Sequence, residues 1–423
     1  MKVLVVGGGG REHAMIKALK KNTRINKLYA APGNGGISRD AECLPIKAVD
    51  IPAMTDFALK NAIDYVIVAP DDPLSLGMVD ALEEKGVRCF GPNKAAARIE
   101  SSKVFSKNLM KKYGIPTAAY ETFSEADKAA DYVKSNSVSF PLVIKADGLA
   151  LGKGVIIAAN FDEAQKAVDS IMRKKKFGES GSSIVIEEFL TGPEVSVLAF
   201  TDGKTVAPMV SSMDHKRAFD NNEGPNTGGM GVIAPNPHYT DEIAAVCEKT
   251  IFLPTIRAMQ AEGCPFRGCL YFGLMLTPRG PVVIEYNCRF GDPETQAVLP
   301  LLETDLLEIM EAVTDGKLAD VNINWKNAHA ACVVLASGGY PSVYKTGFAI
   351  GGLAENGAAK DGGVSIYHAG TEYKDGVFYT AGGRVLGVTA AAPELNSALE
   401  AAYKSARAIS FNGVHYRRDI GKY

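Results

Sequence analysis

The sequence predicts an α/β architecture: an open parallel sheet at the amino terminus, a small α+β unit after it, and a β-rich carboxy-terminal region. Three observations carry this reading. Apolar runs of strand length alternate with helical-period segments up to about residue 100, the pattern of a parallel sheet covered by helices. A strand, helix, strand, loop, strand, helix, strand succession follows to about residue 190. From about Trp325 short strands and glycine turns dominate, as in Gly338-Gly339-Tyr340-Pro341 and Gly382-Gly383.

The first unit reads as strands over residues 2–6, 27–30, 65–69 and 87–90, with helices over 11–20 and 76–85. A helical stretch over 94–112 is stopped by Gly114-Ile115-Pro116, which places a boundary near residues 100–120. Strands over 141–145, 155–158 and 184–189 mark the second unit. Longer strands at 195–200, 270–276 and 282–286, with helices near 241–262 and 303–315, form a third. A polar loop over 211–231 is long enough to suggest a functional role.

Composition narrows the function classes. The 423 residues suffice for two to four domains, and an apolar fraction of 46% with 22% charged residues is that of a chain that folds. Forty-six basic against 48 acidic residues leave a formal charge of -2, so no global field exists to hold nucleic acid or an anionic membrane. Seven scattered cysteines without a CxxC pair fit reduced thiols. With no apolar run of signal-peptide or transmembrane length, a cytoplasmic protein is expected.

Four groups of residues point to chemistry. Gly7-Gly8-Gly9-Gly10-Arg11-Glu12-His13 lies between a strand and a helix, where backbone amides reach a nucleotide or sugar phosphate, or simply make a tight turn. The third glycine of a dinucleotide fingerprint is missing, which disfavours a nicotinamide cofactor. Lys145 ends a strand before the glycine-bearing loop 146–154, which suits closure over phosphates; taken alone, a lysine at a strand's end equally points to solvent. Glu187, Glu188 and Glu194 stand at or just beyond a strand edge, where sugar hydroxyls and an exocyclic amine find acceptors; a solvated edge has the same pattern. Glu285 and Asn287 alternate on one strand face and offer two oxygens to a hard cation, magnesium fitting best, or form a solvent-facing pair with the same spacing; Arg289 follows with a guanidinium suited to phosphate or carboxylate. The six histidines show neither zinc spacing nor a hydrolase triad, and Met209, Met213, Met230 and Met275 read as packing residues.

Taken in order, these pieces resemble the phosphoribosylamine-glycine ligases of the ATP-grasp superfamily, end to end. The matching stretches are Gly9-Gly10-Arg11-Glu12-His13-Ala14, Ala31-Pro32-Gly33-Asn34, Ser102-Lys103 with Gly114-Ile115-Pro116-Thr117, Lys145-Ala146-Asp147-Gly148-Leu149 and Asp214-His215-Lys216-Arg217. They continue through Gly224-Pro225-Asn226-Thr227-Gly228-Gly229-Met230-Gly231, residues 285–294, Gly382-Gly383-Arg384-Val385-Leu386 and His415-Tyr416-Arg417-Arg418-Asp419.

The resemblance implies an amino-terminal phosphoribosylamine-binding domain over 1–102, an ATP-grasp domain over 103–323 with a lid at about 120–190, and a carboxy-terminal domain over 324–423. It implies ATP as cosubstrate with magnesium or manganese, and joining of glycine to 5-phosphoribosylamine through glycyl phosphate by a monomer. By the same resemblance Lys103 and Lys145 hold ATP phosphates, Glu187, Glu188, Phe189 and Leu190 the adenine edge, and Glu194 the ribose. Glu285 and Asn287 bind the metal. Gly9, Gly10, Arg11, Glu12, Asn34 and Asp71 take phosphoribosylamine. Asp214, Lys216, Asn226, Thr227, Gly228, Gly229 and Arg289 face glycine and the acyl phosphate, with Arg289, Lys145 and Asp214 catalytic.

Three departures stand out. Asp71 replaces a usual glutamate, residues 218–223 differ from the family's glycine-and-acid run, and no carboxylate stands near Gly273 or Met275 for a second metal. The competing expectations are another grasp ligase or carboxylase, which would consume bicarbonate, and an idle nucleotide-binding sensor.

Overall fold

The computed structural model describes residues 1–135, 138–149, 154–360 and 362–422; Gly152, in the loop 146–154 expected to close over phosphates, lies outside them. Five parallel strands open the chain, in the order Glu42–Cys43, Lys27–Pro32, Lys2–Gly7, Tyr65–Val68, Cys89–Phe90. The order reverses between Lys2–Gly7 and Tyr65–Val68, so a crevice forms beyond their carboxyl ends, where Gly8-Gly9-Gly10 and Asp71 stand. Both faces of this sheet are covered. Leu4, Val6, Val66 and Val68 share a core with Phe252, Phe272 and Val283, while Val3, Val5, Tyr65 and Ile67 pack with Leu307 and Met310. Burial on both sides explains why these strands read as unbroken apolar runs.

The small unit is an antiparallel sheet in the order Tyr120–Phe123, Ile184–Glu188, Leu142–Ala146, Val155–Ala158, with its own core around Ile144, Ile186, Val168 and Val133. Beside it lies a second antiparallel sheet, Val206–Pro208, Glu194–Asp202, Arg267–Thr277, Gly280–Asn287. A third, Met213–Asp214, Gly231–Ala234, His329–Ala336, Arg384–Ala392, Ser365–His368, draws strands from both sides of residue 324.

Several elements differ from the sequence expectation, each for a local reason. The helix expected over 76–85 is two, Asp71–Leu76 and Met78–Glu84, broken by Gly77 at φ +96. The helix expected over 94–112 restarts at Lys103, because the Ser102 side chain accepts a hydrogen bond from Phe105 N and caps a new helix. Residues 211–231 are not a loop: they hold the strand Met213–Asp214 and the hairpin Arg217–Phe219 with Glu223–Asn226. Its strands are polar and mostly exposed, so no apolar alternation announced them. The helix Leu395–Ala408 buries Ala398, Ala402 and Ala406, whose i,i+4 spacing was the missed signal. Among the described residues, no helix is long and apolar enough to cross a membrane.

Buried histidines lie at two joints between distant parts of the chain. His13 accepts from His368 N at Nδ1 (2.8 Å) and contacts Asp40 through Nε2 (3.1 Å); the His368 ring meets Thr371 Oγ1 and Gly357 O. His215 Nε2 accepts from Gly421 N. Burial lowers all three, to about 4 for His215 and about 3 for His368. A histidine held below its unfolded value is neutral in the fold, so its contribution is complete above pH ~6.5 and is lost as the pH falls toward the folded value. The expected result is a falling melting temperature between pH 7 and pH 5, His215 and His368 each costing up to about 2 kcal/mol at pH 5. His368→Asn should flatten that slope; a melting temperature constant across the interval would refute the account.

Candidate active site

Where the small unit meets the second sheet, lysines and carboxylates gather. Lys145, on the strand Leu142–Ala146, donates to Ile284 O (3.1 Å) and pairs with Glu187 Oε1 (3.0 Å). The other Glu187 oxygen meets Lys107 at 2.9 Å, so this buried carboxylate is clasped by two lysines and shielded from solvent. Burial lowers Lys107 to about 8. Lys103, first residue of its helix, donates to Gly148 O (2.8 Å) and is also lowered by burial. Glu188 accepts from Ala119 N and Arg279, Phe189 is exposed, Leu190 is partly exposed, and Glu194 pairs with Lys216 at 3.1 Å.

Glu285 and Asn287 lie on the strand Gly280–Asn287, in register with Gly273 and Tyr271. A Cβ on Gly273 would stand 3.1 Å from Glu285 Cγ, so the position that lacks a second carboxylate is the one that leaves room for the first. Burial pushes Glu285 upward, but Lys216, Lys145, Lys103 and Arg289 outweigh it and hold the carboxyl below its ordinary range. No group of three or more metal-ligating side chains occurs among the described residues. A lone anionic carboxylate beside an amide oxygen fits a hard divalent cation that takes its remaining ligands from phosphate and water.

Arg289 ties this strand to the amino-terminal sheet. Its Nη2 lies 3.3 Å from Glu100 Oε1 and 3.9 Å from Asp71 Oδ2, and its buried Nε has no hydrogen-bond partner among the described residues. Glu100 accepts from Cys288 N (2.7 Å), and burial raises it. Burial also pushes Asp71 upward, yet Arg289 and Arg11 prevail and hold it low. Arg11 donates to Glu12 Oε1 (2.6 Å) and Phe290 O (3.1 Å), while Gly9 N donates to Glu12 Oε2 (2.6 Å).

The glycine run therefore serves close packing as well as any ligand. A Cβ on Gly8 would lie 2.3 Å from Gly33 O, and one on Gly10 2.6 Å from Gln296 Nε2. Asn34 bonds Gly8 O, His368 O, Gly36 N and Ile37 N, so its side chain shapes the loop rather than projecting from it.

Opposite the lysines lies Asp214, whose buried Oδ1 has no partner among the described residues. Burial and the charge of Glu294 raise it well above the carboxylate range. Lys216 is raised, chiefly by Glu194. Thr227 bonds Lys216 O through both its N and its Oγ1, and Gly229 N donates to Thr227 Oγ1; Asn226 is exposed. The hairpin behind this turn is clamped by the carboxy-terminal tail. Arg417, fully buried, bonds Asp419, Arg217 O and Asn222 Oδ1, and His415 Nε2 meets Ala218 O.

The structure thus links the lysines, Glu285, Arg289, Asp71 and the Asp214 turn in one charged cluster, with Asn287 beside Glu285 on its strand and the glycine run joined to it through Arg11. Sequence reading missed Lys107, Glu100 and the Ser196, Tyr271, Glu294 set, in which Tyr271 OH lies 2.7 Å from Ser196 Oγ and 3.1 Å from Glu294 Oε1. Glu294 was visible in the run after Arg289; Glu100 and Lys107, on polar helix turns, carried no signal.

Comparison with known proteins gives a consistent picture. Three family models match in order: the phosphoribosylglycinamide synthetase N domain over residues 1–100, its ATP-grasp (A) domain over 101–295 and its C domain over 330–423. A phosphoribosylamine-glycine ligase of Caldanaerobacter subterraneus subsp. tengcongensis is 49% identical over 420 residues, 99% of each chain. The crystal structure of phosphoribosylamine-glycine ligase from Thermotoga maritima superposes with a TM-score of 0.86 at 34% identity, covering 99% of this chain and 100% of the other. The biotin carboxylase domain of a Hydrogenobacter thermophilus 2-oxoglutarate carboxylase, bound to ADP, magnesium and bicarbonate, shares the fold at 16% identity, with a TM-score of 0.74 over 98% and 91% of the two chains.

Proposed function

Because the chain belongs to the phosphoribosylglycinamide synthetase family, we propose that this cluster joins glycine to 5-phosphoribosylamine at the expense of ATP, through glycyl phosphate. The chain is an ATP-dependent ligase of purine biosynthesis. The observation that carries the residue-level reading is Glu285: a partly buried carboxylate held below its ordinary range by the charges of Lys216, Lys145, Lys103 and Arg289, as a site for phosphates and a divalent cation requires.

A glycine carboxylate oxygen attacks the γ-phosphorus of ATP, and the bond to the β-γ bridging oxygen breaks to release ADP. The amine of phosphoribosylamine then attacks the acyl carbon, the bond to the phosphate oxygen breaks, and a proton leaves the nitrogen. Lys103 and Lys145 offset the phosphate charge that would otherwise repel the incoming carboxylate, with Glu187 fixing Lys145. Backbone at Glu187, Glu188, Phe189 and Leu190 takes the adenine edge, and Glu194 the ribose once Lys216 turns to the acyl phosphate. Glu285 and Asn287 hold magnesium, manganese substituting, which when bound screens the phosphates and polarises the transferred group. Arg289 Nε and Asp214 Oδ1, without hydrogen-bond partners among the described residues, suit an acyl phosphate oxygen and the glycine ammonium. Gly9, Gly10, Arg11, Glu12 and Asp71, at the reversal of strand order, receive phosphoribosylamine, with Asn34 shaping that loop.

The domains in this reading are 1–102, 103–323 with the lid at 120–190, and 324–423. In this reading the protein works as a cytoplasmic monomer whose partners are small substrates, without nucleic acid or membrane; seven free cysteines support the compartment, and a net charge of -2 supports the lack of a polyanionic partner. ADP release with each substrate omitted in turn tests the reaction. Turnover should require both glycine and phosphoribosylamine. Bicarbonate-dependent ADP formation without glycine would favour a carboxylase instead, and absence of turnover a sensor.

A further inference from the structure

The Gly382-Gly383-Arg384 segment has no part in the chemistry above, yet it reaches the charged cluster from the carboxy-terminal region. We propose that Arg384, assisted by Tyr340, is a positioning residue that sets the glycine-side turn at Gly228 and Gly229 against the Asp292 loop. The inference rests on the reading that this turn faces glycine and its acyl phosphate.

The guanidinium is directed at the protein itself. Arg384 Nη1 donates to Gly228 O (2.6 Å) and Asp292 O (2.7 Å), and Nη2 lies 3.3 Å from Asp292 Oδ2. Tyr340 OH accepts from Gly228 N at 3.0 Å. Both backbone polar groups of Gly228 are therefore held by side chains from the far end of the chain. The second Asp292 oxygen accepts from Gln296 Nε2 (2.7 Å), so Asp292 cannot swing away to follow the turn.

Four glycines make this contact possible. A Cβ on Gly228 would stand 3.0 Å from Arg384 Cζ, and one on Gly383 would lie 2.3 Å from Tyr340 Cδ2. One on Gly370 would lie 2.5 Å from Gly382 Cα, where the two loops cross. At Gly229, with φ +113, a Cβ would fall 2.6 Å from Asp214 Oδ1 and 2.4 Å from Pro293 Cδ. The turn is thus wedged between Asp214 and Pro293 on one side and Arg384 and Tyr340 on the other. A planar fork bridges two carbonyls and a carboxylate; an ammonium on a flexible stem does not reproduce that geometry. Displacing a reacting group by about 1 Å costs on the order of 100-fold in rate, so a residue that touches no substrate still controls the step.

The test uses the full-length enzyme with ATP, glycine and phosphoribosylamine varied separately. Arg384→Met should lower kcat about 100-fold and raise the KM for glycine, leaving the KM for ATP within about twofold, because Lys103 and Lys145 are untouched. Tyr340→Phe should move the same parameters about fivefold. Arg384→Lys should not restore the rate, whereas methylguanidinium added to Arg384→Ala should restore part of it. Wild-type kcat and glycine KM in Arg384→Met would overturn the proposal. So would equal losses for ATP and glycine without guanidinium rescue, the mark of a merely structural residue. Gly229→Ala separates this from the reading beneath it. If that variant leaves glycine kinetics unchanged, glycine does not sit at the turn and both fall; if it impairs them while Arg384→Met does not, the Arg384 assignment alone fails.

Discussion

Glu285→Gln is expected to lower kcat/KM by about 1000-fold, the loss of roughly 4 kcal/mol of transition-state stabilisation. The glutamine keeps the shape of the side chain and removes its charge, so the effect isolates electrostatics. Four cationic side chains lower this carboxyl, and its cross-strand partner position holds Gly273, which offers no acid in its place. The variant should also bind manganese more weakly in the presence of ATP, a readout independent of turnover. Stability should follow the sign of the shift. Because Glu285 is held below its unfolded value, its contribution is present above pH ~4.3 and is lost as the pH falls through the folded value. The wild type should therefore lead the variant in melting temperature at pH 7, with the two converging in acid. A Glu285→Gln enzyme with more than a third of wild-type activity would remove the metal assignment.

Glu285 also shows what was legible in the sequence and what was not. Strand alternation placed it and Asn287 on one face, and the register bears that out, because period 2 is local and needs no tertiary information. The parallel sheet was equally legible, since strands covered on both faces read as continuous apolar runs. Glu187 shows the limit. Its place on a strand was readable, but the two lysines that clasp it come from a helix and a neighbouring strand, and only the sheet order brings them together. Arg384 and Tyr340 escaped for the same reason: each lies more than a hundred positions from Gly228. The hairpin behind the turn carries no strand signal in the sequence because its partners are polar groups of the tail, the buried Arg417 above all, rather than an apolar face.

The second large effect is expected at Arg289, where a structural and a catalytic role can be separated. Arg289→Met should destabilise the protein by about 3–5 kcal/mol, the usual result of leaving one half of a buried ion pair alone. Glu100, only 8% exposed, would be the stranded partner, with Asp71 beside it. Burial already raises Glu100, and without the guanidinium, which now lowers it, the carboxyl should climb further. Since a raised acid binds protons more tightly folded than unfolded, the penalty should shrink as the pH is lowered toward 5. Adding Glu100→Gln to Arg289→Met should recover much of the stability, because the uncompensated charge is gone. Activity should not return with it. The buried Arg289 Nε, which has no hydrogen-bond partner among the described residues, is lost in both variants, and Arg289→Lys supplies a point charge without that directed donor. A double variant that regained stability and turnover together would assign Arg289 to the scaffold alone, and would move the acyl phosphate contact to Lys216.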